Sequence, residues 1–264
     1  MPIRPPSDRP RGQPERPSAL LLFSEPWRSA IELGALTVSA PGLARAPRGD
    51  GHPVLVLPGL LASDTSTLIL RRFLGGLGYA TSGWGFGVNV GPTNEVVRRL
   101  PLRLGELANR YEQPVSIIGW SLGGVYARAL AARSPDLVRL VVTLGSPYAT
   151  QGPGHTHADT AYRFLSRGRY AAAAGERRGA GLPLSVPTTS VYSRLDGIVS
   201  WRVCRDAVGG PHESIGIPAS HLGFGHNPAA LWVIADRLAQ DPDHWRPFTP
   251  SRQLRRIFTA DQQA

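Results

Sequence analysis

A serine between two closely spaced glycines is the first candidate for chemistry in this chain. Ser121 lies at the centre of Gly119–Gly123, after the apolar run Val115–Ile118 and before an alanine-rich segment that favours a helix. This arrangement is typical of a strand that turns sharply into a helix and presents the serine at the tip. The turn strains the serine and crowds its neighbours, which accounts for a glycine two positions to either side. The pattern predicts a nucleophilic serine.

A nucleophilic serine needs a histidine base, and the base needs a group that orients it. After Ser121 the chain offers Asp196 and then His221. Asp196 follows a strand predicted over Val186–Tyr192, and His221 follows one predicted over Glu213–Ile217. If these strands run parallel to the one before Ser121, all three side chains lie at one edge of a sheet. We expect Ser121 to attack, His221 to carry the proton and Asp196 to orient the imidazole.

Two other groups of residues offer competing chemistry. His226 could serve as the base, but it precedes Asn227, which is expected to cap a helix, so a capping or surface role is favoured. His155, His157 and Asp159 have the composition of a metal site, yet no further ligand follows at a closing distance. We therefore expect neither a metal nor a cofactor.

The elements that must position these residues alternate between strands and helices. Strands are predicted over His52–Leu57, Tyr79–Phe86, Val115–Trp120, Leu137–Leu144, Val186–Tyr192 and Glu213–Ile217. Helices are predicted around Leu68–Leu74 and over Asn94–Tyr111, Ser121–Arg133 and Asn227–Leu238, with Pro101 expected to kink or split the second. This alternation predicts an α/β fold with a mainly parallel central sheet and helices on both faces. Right-handed crossovers then place the strand-to-helix loops along one edge.

The length of 264 residues fits one domain of ordinary size. Residues 1–18 are rich in proline and arginine and are expected to be disordered. We predict a single domain over 19–250, with a helical stretch at Trp27–Leu43 and a small cap insertion over 148–183. Residues 251–264 are predicted to form a tail.

The net charge of +10 comes with 29 basic residues, all of them arginine. These arginines are scattered rather than gathered around a nucleic-acid motif, so no nucleic-acid partner is expected. Weak association with an anionic membrane surface is compatible with the charge. No apolar run is long enough to span a membrane, and one cysteine, Cys204, excludes an internal disulfide. These features lead us to expect a cytoplasmic protein.

From about His52 to Leu238 the chain resembles α/β-hydrolases of the bacterial lipase and esterase type. The resemblance rests on Leu57–Leu60, Gly119–Gly124, Thr143–Pro147, the loop of Asp196 and Ser220–Gly223. It implies an oxyanion hole formed by the backbone amides of Leu122 and Leu60, with Leu61 as the alternative to Leu60. It also implies that Trp120 and Leu61 bind substrate.

The resemblance implies hydrolysis of a small-molecule ester or a lipid through an acyl-enzyme. An acyltransferase with the same triad, or a non-catalytic binding protein with this fold, are the alternatives. The chain departs from the family pattern at Pro58, where many relatives have histidine, and at Tyr148, where many also have histidine. Neither belongs to the triad, so these departures bear on substrate preference.

Overall fold

The structure is a computed structural model that describes residues 16–148, 156–157, 183–206, 211–241, 244–250 and 255–260. Most of the predicted cap insertion at 148–183 lies outside the described residues, as does most of the predicted N-terminal segment 1–18.

A seven-stranded sheet forms the centre of the molecule, in the order β2-β1-β3-β4-β5-β6-β7. Its strands are β1 (Pro53–Leu57), β2 (Ala80–Gly83), β3 (Val115–Trp120), β4 (Val138–Leu144), β5 (Thr188–Tyr192), β6 (His212–Gly216) and β7 (Thr259–Ala260). The first six strands pair in parallel, and β7 pairs antiparallel to β6. Part of the predicted C-terminal tail therefore adds an edge strand. The mainly parallel sheet is as the sequence predicts.

Five α-helices are described, and four of them cover the two faces of the sheet. They are α1 (Ala19–Leu43), α2 (Leu68–Gly76), α3 (Asn94–Tyr111), α4 (Leu122–Arg133) and α5 (Pro228–Leu238). Successive side chains of β1 point to opposite faces: Val54 and Val56 pack with α2 and α5, whereas Leu55 and Leu57 pack with α3 and α4. Because both faces of β1 are buried, this strand is continuously apolar rather than alternating.

Two elements differ from the sequence prediction for local reasons. β2 stops at Gly83 because the Asp64 carboxylate accepts hydrogen bonds from the amides of Trp84 and Gly85, at 2.9 and 3.1 Å, and draws the chain out of the sheet. α3 runs unbroken through Pro101, so the expected split does not occur. Buried residues on both sides of the proline, among them Leu100 and Leu104, hold this helix against the sheet.

α1 begins earlier than predicted, since Ser18 accepts a hydrogen bond from the amide of Leu21 and caps the helix at Ala19. It packs beside α5. One face of α1 carries large apolar side chains that are between 71% and 82% exposed. We call them the α1 stripe: Leu20, Phe23, Trp27, Ile31 and Val38. Within the described part of the chain, no helix has the length and hydropathy needed to cross a membrane.

Candidate active site

Ser121 occupies the sharp turn between β3 and α4. Its φ and ψ angles are 52° and −118°, a combination rarely adopted by a residue with a side chain. A Cβ atom on Gly119 would overlap the backbone of Gly124, and one on Gly123 would overlap the carbonyl group of Leu57. The two glycines therefore let β1, β3 and α4 meet closely enough to force the turn. Such a backbone costs about 1–3 kcal/mol, which the surrounding packing must offset.

The loops after β3, β4, β5 and β6 lie side by side, joined by backbone hydrogen bonds just beyond the strand ends. The amide of Ser121 donates to the carbonyl oxygen of Leu144 at 2.8 Å. The amide of Gly145 donates to Val191 at 2.9 Å, and that of Ile217 donates to Tyr192 at 2.9 Å. This ladder brings the loops that carry Ser121, Asp196 and His221 to the same edge of the sheet.

Asp196 and His221 form a buried hydrogen-bonded pair. The Asp196 Oδ2 atom lies 2.7 Å from His221 Nδ1, and the two side chains are almost fully buried. Asp196 Oδ1 accepts from the amides of Ile198 and Val199, at 2.8 and 2.7 Å, which fixes the carboxylate. A carboxylate only accepts, so Nδ1 of the imidazole carries the proton and Nε2 is left to accept one. The structure shows no hydrogen bond from the Ser121 hydroxyl to Nε2; in unliganded sites such bonds are often long and shorten when substrate binds.

The environment raises the pKa of His221 above its ordinary value of 6.5. Burial acts in the opposite direction, since it disfavours the charged ring. The charge of Asp196 and its hydrogen bond favour the imidazolium, and the charge of Glu25 adds to them. The site is therefore built to hold the positive charge that a histidine base acquires.

Three further residues surround the pair. A Cβ atom on Gly145 would come within 3.0 Å of Asp196 Oδ2 and 3.1 Å of His221 Nδ1. The residue that follows β4 therefore has to lack a side chain. The Phe224 ring stands edge-on to His221, with centroids 6.2 Å apart. The indole N–H of Trp120 donates to the backbone carbonyl of His221 at 3.0 Å. Trp120 is largely buried, so its expected role in substrate binding stays a prediction, beside this observed contact with the histidine loop.

The loop after β1 lies against Ser121, since a Cβ atom on Gly59 would stand 3.2 Å from the serine Cβ. Buried Asn89 holds this loop. Its backbone carbonyl oxygen accepts a hydrogen bond from the Leu61 amide at 2.7 Å, and its side-chain amide donates to the backbone carbonyl oxygen of Pro58 at 2.9 Å. The amide of Leu61 is thus already engaged. The amide of Leu60 has no acceptor among the described residues, so of the two alternatives only Leu60 has an amide available to an anion.

Leu122 is the first residue of α4, where backbone amides have no partner within the helix. The Ser121 side chain does not cap that helix end. The Leu122 amide is therefore available to an anion beside Ser121. Leu61, in the loop after β1, is exposed and has a φ of 61°.

The competing histidines have other contacts. His226 Nε2 lies 2.9 Å from the carbonyl oxygen of Ser29 in α1, which places it in the contact between helix and loop. His157 Nε2 lies 3.0 Å from the carbonyl oxygen of Pro17. His155 and Asp159 lie outside the described residues, and the described residues contain no group of three metal-binding side chains.

A second serine, histidine and aspartate lie together at the opposite end of the sheet. His52 Nε2 is 2.8 Å from Ser116 Oγ, and His52 Nδ1 contacts Asp50. Ser116 and His52 have no exposed surface, so this serine is closed to substrate. Burial, with a smaller contribution from Arg139, lowers the pKa of His52 although Asp50 opposes the change. Ser116 precedes Ser121 by five residues, about 16 Å along an extended strand.

The sheet, the strained serine and the Asp–His pair together define an α/β hydrolase. Residues 74–196 match the family model described as alpha/beta hydrolase fold. The chain therefore has the α/β-hydrolase fold.

Solved structures with the same fold include metagenome-derived lipolytic enzymes described as LipS and LipT. The match has 15% sequence identity and a TM-score of 0.53, and covers 73% of this chain and 93% of the other. A pyrethroid hydrolase from Sphingobium faniae JZ-2 is 16% identical in sequence and has a TM-score of 0.52. That match covers 73% of this chain and 99% of the other. At these identities the likeness shows the fold alone. A search of curated protein sequences found no match.

Proposed function

We propose that this hydrolase cleaves carboxylic esters through a Ser121–His221–Asp196 triad. The observation that supports this most directly is the 2.7 Å contact between Asp196 and His221 Nδ1, on loops joined by hydrogen bonds to the strained turn of Ser121. The family match makes a hydrolase the expected class, and the residues at this edge of the sheet supply the chemistry of an esterase.

In the proposed reaction, Ser121 Oγ attacks the ester carbonyl carbon while its proton passes to His221 Nε2. The amides of Leu60 and Leu122 donate to the oxygen that becomes negative, a contribution of about 3–4 kcal/mol for each such donor. The intermediate collapses, the alcohol leaves with the proton from His221, and the acyl group remains on Ser121. Water, deprotonated by His221, then attacks the acyl group and releases the acid. The carboxylate of Asp196 stabilises the imidazolium.

The same acyl-enzyme could pass its acyl group to an alcohol, which would make the protein an acyltransferase. Incubation of the enzyme with an ester and a competing alcohol separates the two, because only transfer yields a new ester. A non-catalytic protein of this fold would give neither product.

Labelling with a fluorophosphonate tests the triad directly. We expect the probe to modify Ser121, since only an activated serine attacks the phosphorus atom rapidly, and Ser121→Ala to abolish labelling and reduce turnover by several orders of magnitude. Ser116 is a matched control, because it also contacts a histidine but is buried. Ser116→Ala should label like the unmodified protein. A probe found by peptide mapping on Ser116 or Ser146 would contradict the assignment.

We propose further that the acyl group is apolar and lipid-like. The predicted cap insertion contains the run 171–174 of four alanines and Leu182 together with five arginines, a composition suited to covering an acyl chain near an anionic surface. Esters with medium or long acyl chains should then be hydrolysed faster than acetate esters, and deletion of 167–178 should narrow this difference. A strict preference for acetate, unchanged by the deletion, would leave a short-chain esterase.

The α1 stripe supports the proposal that the protein associates weakly with anionic membrane surfaces. Its five side chains lie on one face of the helix and include a tryptophan and a phenylalanine, which insert readily at a lipid interface. The only acidic residues of α1, Glu25 and Glu32, face the other way and contact the catalytic loops. With a net charge of +10, the protein is attracted to an anionic surface, and the stripe supplies the apolar contact.

A further inference from the structure

One carboxylate joins the two loops that carry Asp196 and His221. Glu25 Oε1 accepts from the amide of Gly197 at 2.7 Å, and Oε2 accepts from the amide of Leu222 at 2.9 Å. Gly197 and Leu222 directly follow the acid and the base of the proposed triad. Glu25 is 1% exposed and belongs to α1, far from both loops in the sequence.

The carboxylate is also paired with a cation. Arg28 Nη2 lies 2.7 Å from Glu25 Oε1, and Arg28 Nη1 donates to the carbonyl oxygen of Leu195 at 2.6 Å. A buried charge without partners would be costly, and hydrogen bonds from two amides and a guanidinium offset that cost. The arrangement is rigid, because each Glu25 oxygen is held by a backbone group of a different loop.

Attachment of α1 to the domain does not depend on Glu25 alone. Two turns further along the same face, Glu32 Oε1 accepts from the amide of Ser220 at 2.6 Å, and Oε2 accepts from the side chain of Asn227 at 3.0 Å. Glu32 thus makes the same kind of contact as Glu25. The difference lies in what they join: Glu25 bridges the loops of Asp196 and His221, whereas Glu32 contacts only Ser220 and Asn227. The charge of Glu25 also raises the pKa of His221.

We propose that Glu25 is a positioning residue for the triad, whose carboxylate fixes the Asp196 and His221 loops relative to each other and stabilises the imidazolium formed during the reaction. This inference builds on the proposed function. Among the described residues, the charged groups that act on the imidazole are Asp196 and, from α1, Glu25. Arg28 is paired with Glu25 and partly neutralises its charge. The buried thiol of Cys204 lies near Asp196, which raises the pKa of the thiol after the larger effect of burial.

The test compares Glu25→Gln with Glu32→Gln in the full chain. Glutamine keeps the size of the side chain but removes the charge and presents an N–H to one of the two amides, so one loop loses its acceptor. For Glu25→Gln we expect kcat to fall about tenfold to a hundredfold with KM nearly unchanged, as for a displaced catalytic group. The acidic limb of the pH–rate profile should move to lower pH. Glu32→Gln should leave that limb in place.

Titration of His221 by NMR provides a readout that needs no activity. The His221 signal is assigned by its absence in His221→Gln, and Glu25→Gln should lower the pKa of His221. Arg28→Met offers the opposite change: it leaves the charge of Glu25 unattenuated and should raise the pKa of His221. If glutamine at position 25 were to prevent folding, this second variant would still decide between the outcomes.

An unchanged His221 pKa in Glu25→Gln, or equal shifts in Glu25→Gln and Glu32→Gln, would overturn the proposal and leave Glu25 as an anchor of the helix. The proposed function fails differently. If the unmodified protein neither hydrolyses esters nor reacts with fluorophosphonate, the triad is not active, whereas the His221 titrations still measure whether Glu25 acts on the imidazole.

Discussion

The contacts of Asp196 and His221 leave one ring atom, Nε2 of His221, able to accept a proton. Asp196 places one oxygen on two amides and the other on His221, and His221 places Nδ1 on Asp196. Only Nε2 of the imidazole then remains for Ser121 and the substrate. Ring orientation and tautomer are therefore set before the substrate arrives, which is the role of the acid in such triads.

His221 and His226 can be told apart by substitution. We expect His221→Ala to lower kcat by several orders of magnitude, because no other described imidazole contacts Asp196. His226→Ala should keep most of the activity and lower the melting temperature slightly, since its ring bonds to the carbonyl of Ser29 in α1. Steady-state kinetics and thermal melting of both variants provide the measurement. An inactive His226→Ala beside an active His221→Ala would contradict the assignment.

The pH dependence of hydrolysis follows from the same histidine. Only the neutral imidazole accepts a proton from Ser121, so kcat/KM should be low in acid and rise with pH through the pKa of His221. Because Asp196 and Glu25 raise that pKa above 6.5, the rise should be centred above 6.5. A profile that was flat from pH 5 to 8, or centred below 6, would show that another group limits the reaction.

The placement of Ser121, Asp196 and His221 at one edge of the sheet could be predicted from the sequence, because each lies in the loop after a parallel strand and such strand ends share an edge. The choice between Leu60 and Leu61 could not, since it depends on a hydrogen bond between Leu61 and Asn89 across a folded loop. The proposed role of Glu25 could not be predicted from the sequence either. Its partners are 172 and 197 residues away, and no local pattern connects a glutamate in an N-terminal helix with them.

At the scale of elements, the site depends on how closely β3 and α4 approach each other. The glycines that permit this approach were predicted from their spacing, and the structure shows which backbone each would strike. In two other elements, contacts distant in sequence override the secondary structure that the local sequence predicts. The contacts of Asp64 end β2 earlier than the sequence predicts, and the buried face of α3 keeps the helix intact despite Pro101.

A pair of glycine substitutions tests this reading of the turn. Gly119→Ala should destabilise the protein by about 1–3 kcal/mol and reduce activity, because its Cβ would strike the backbone of Gly124. Gly105→Ala, in the middle of α3 with open space around it, should instead stabilise by about 0.5–1 kcal/mol without changing kcat. Urea unfolding and ester hydrolysis measure both effects. A neutral Gly119→Ala would mean that the turn tolerates a wider separation.

At the scale of the whole molecule, charge and shape act together. The arginines give the protein a net charge of +10, and α1 presents an apolar face outward while its polar face contacts the loops of Asp196 and His221. The sequence indicated the charge, but it could not show which face of α1 is exposed, because that depends on where Glu25 and Glu32 find partners.

Vesicle binding measures this combination. Phe23→Ser with Trp27→Ser should weaken binding to phosphatidylglycerol vesicles at least tenfold, since each buried side chain contributes about 1.5–3 kcal/mol. Vesicles of phosphatidylcholine alone, or high salt, should bind the unmodified protein much less. Leu102→Ser, at an exposed position of α3, is the control and should bind normally. Equal binding by the double variant and the control would exclude the stripe as a lipid contact.

The contact between Glu25 and Leu222 also sets the order in which the protein matures. α1 is synthesised before both of the loops that it contacts, and the amide of Leu222 is added 197 residues after Glu25. At ribosomal rates of about 5–20 residues per second, Glu25 waits roughly 10–40 s for this partner. A nascent chain that ended before His221 would contain α1 but would lack the proposed base. The hydrogen bonds that tie α1 to the loops of Asp196 and His221 can therefore form only after most of the domain has been synthesised.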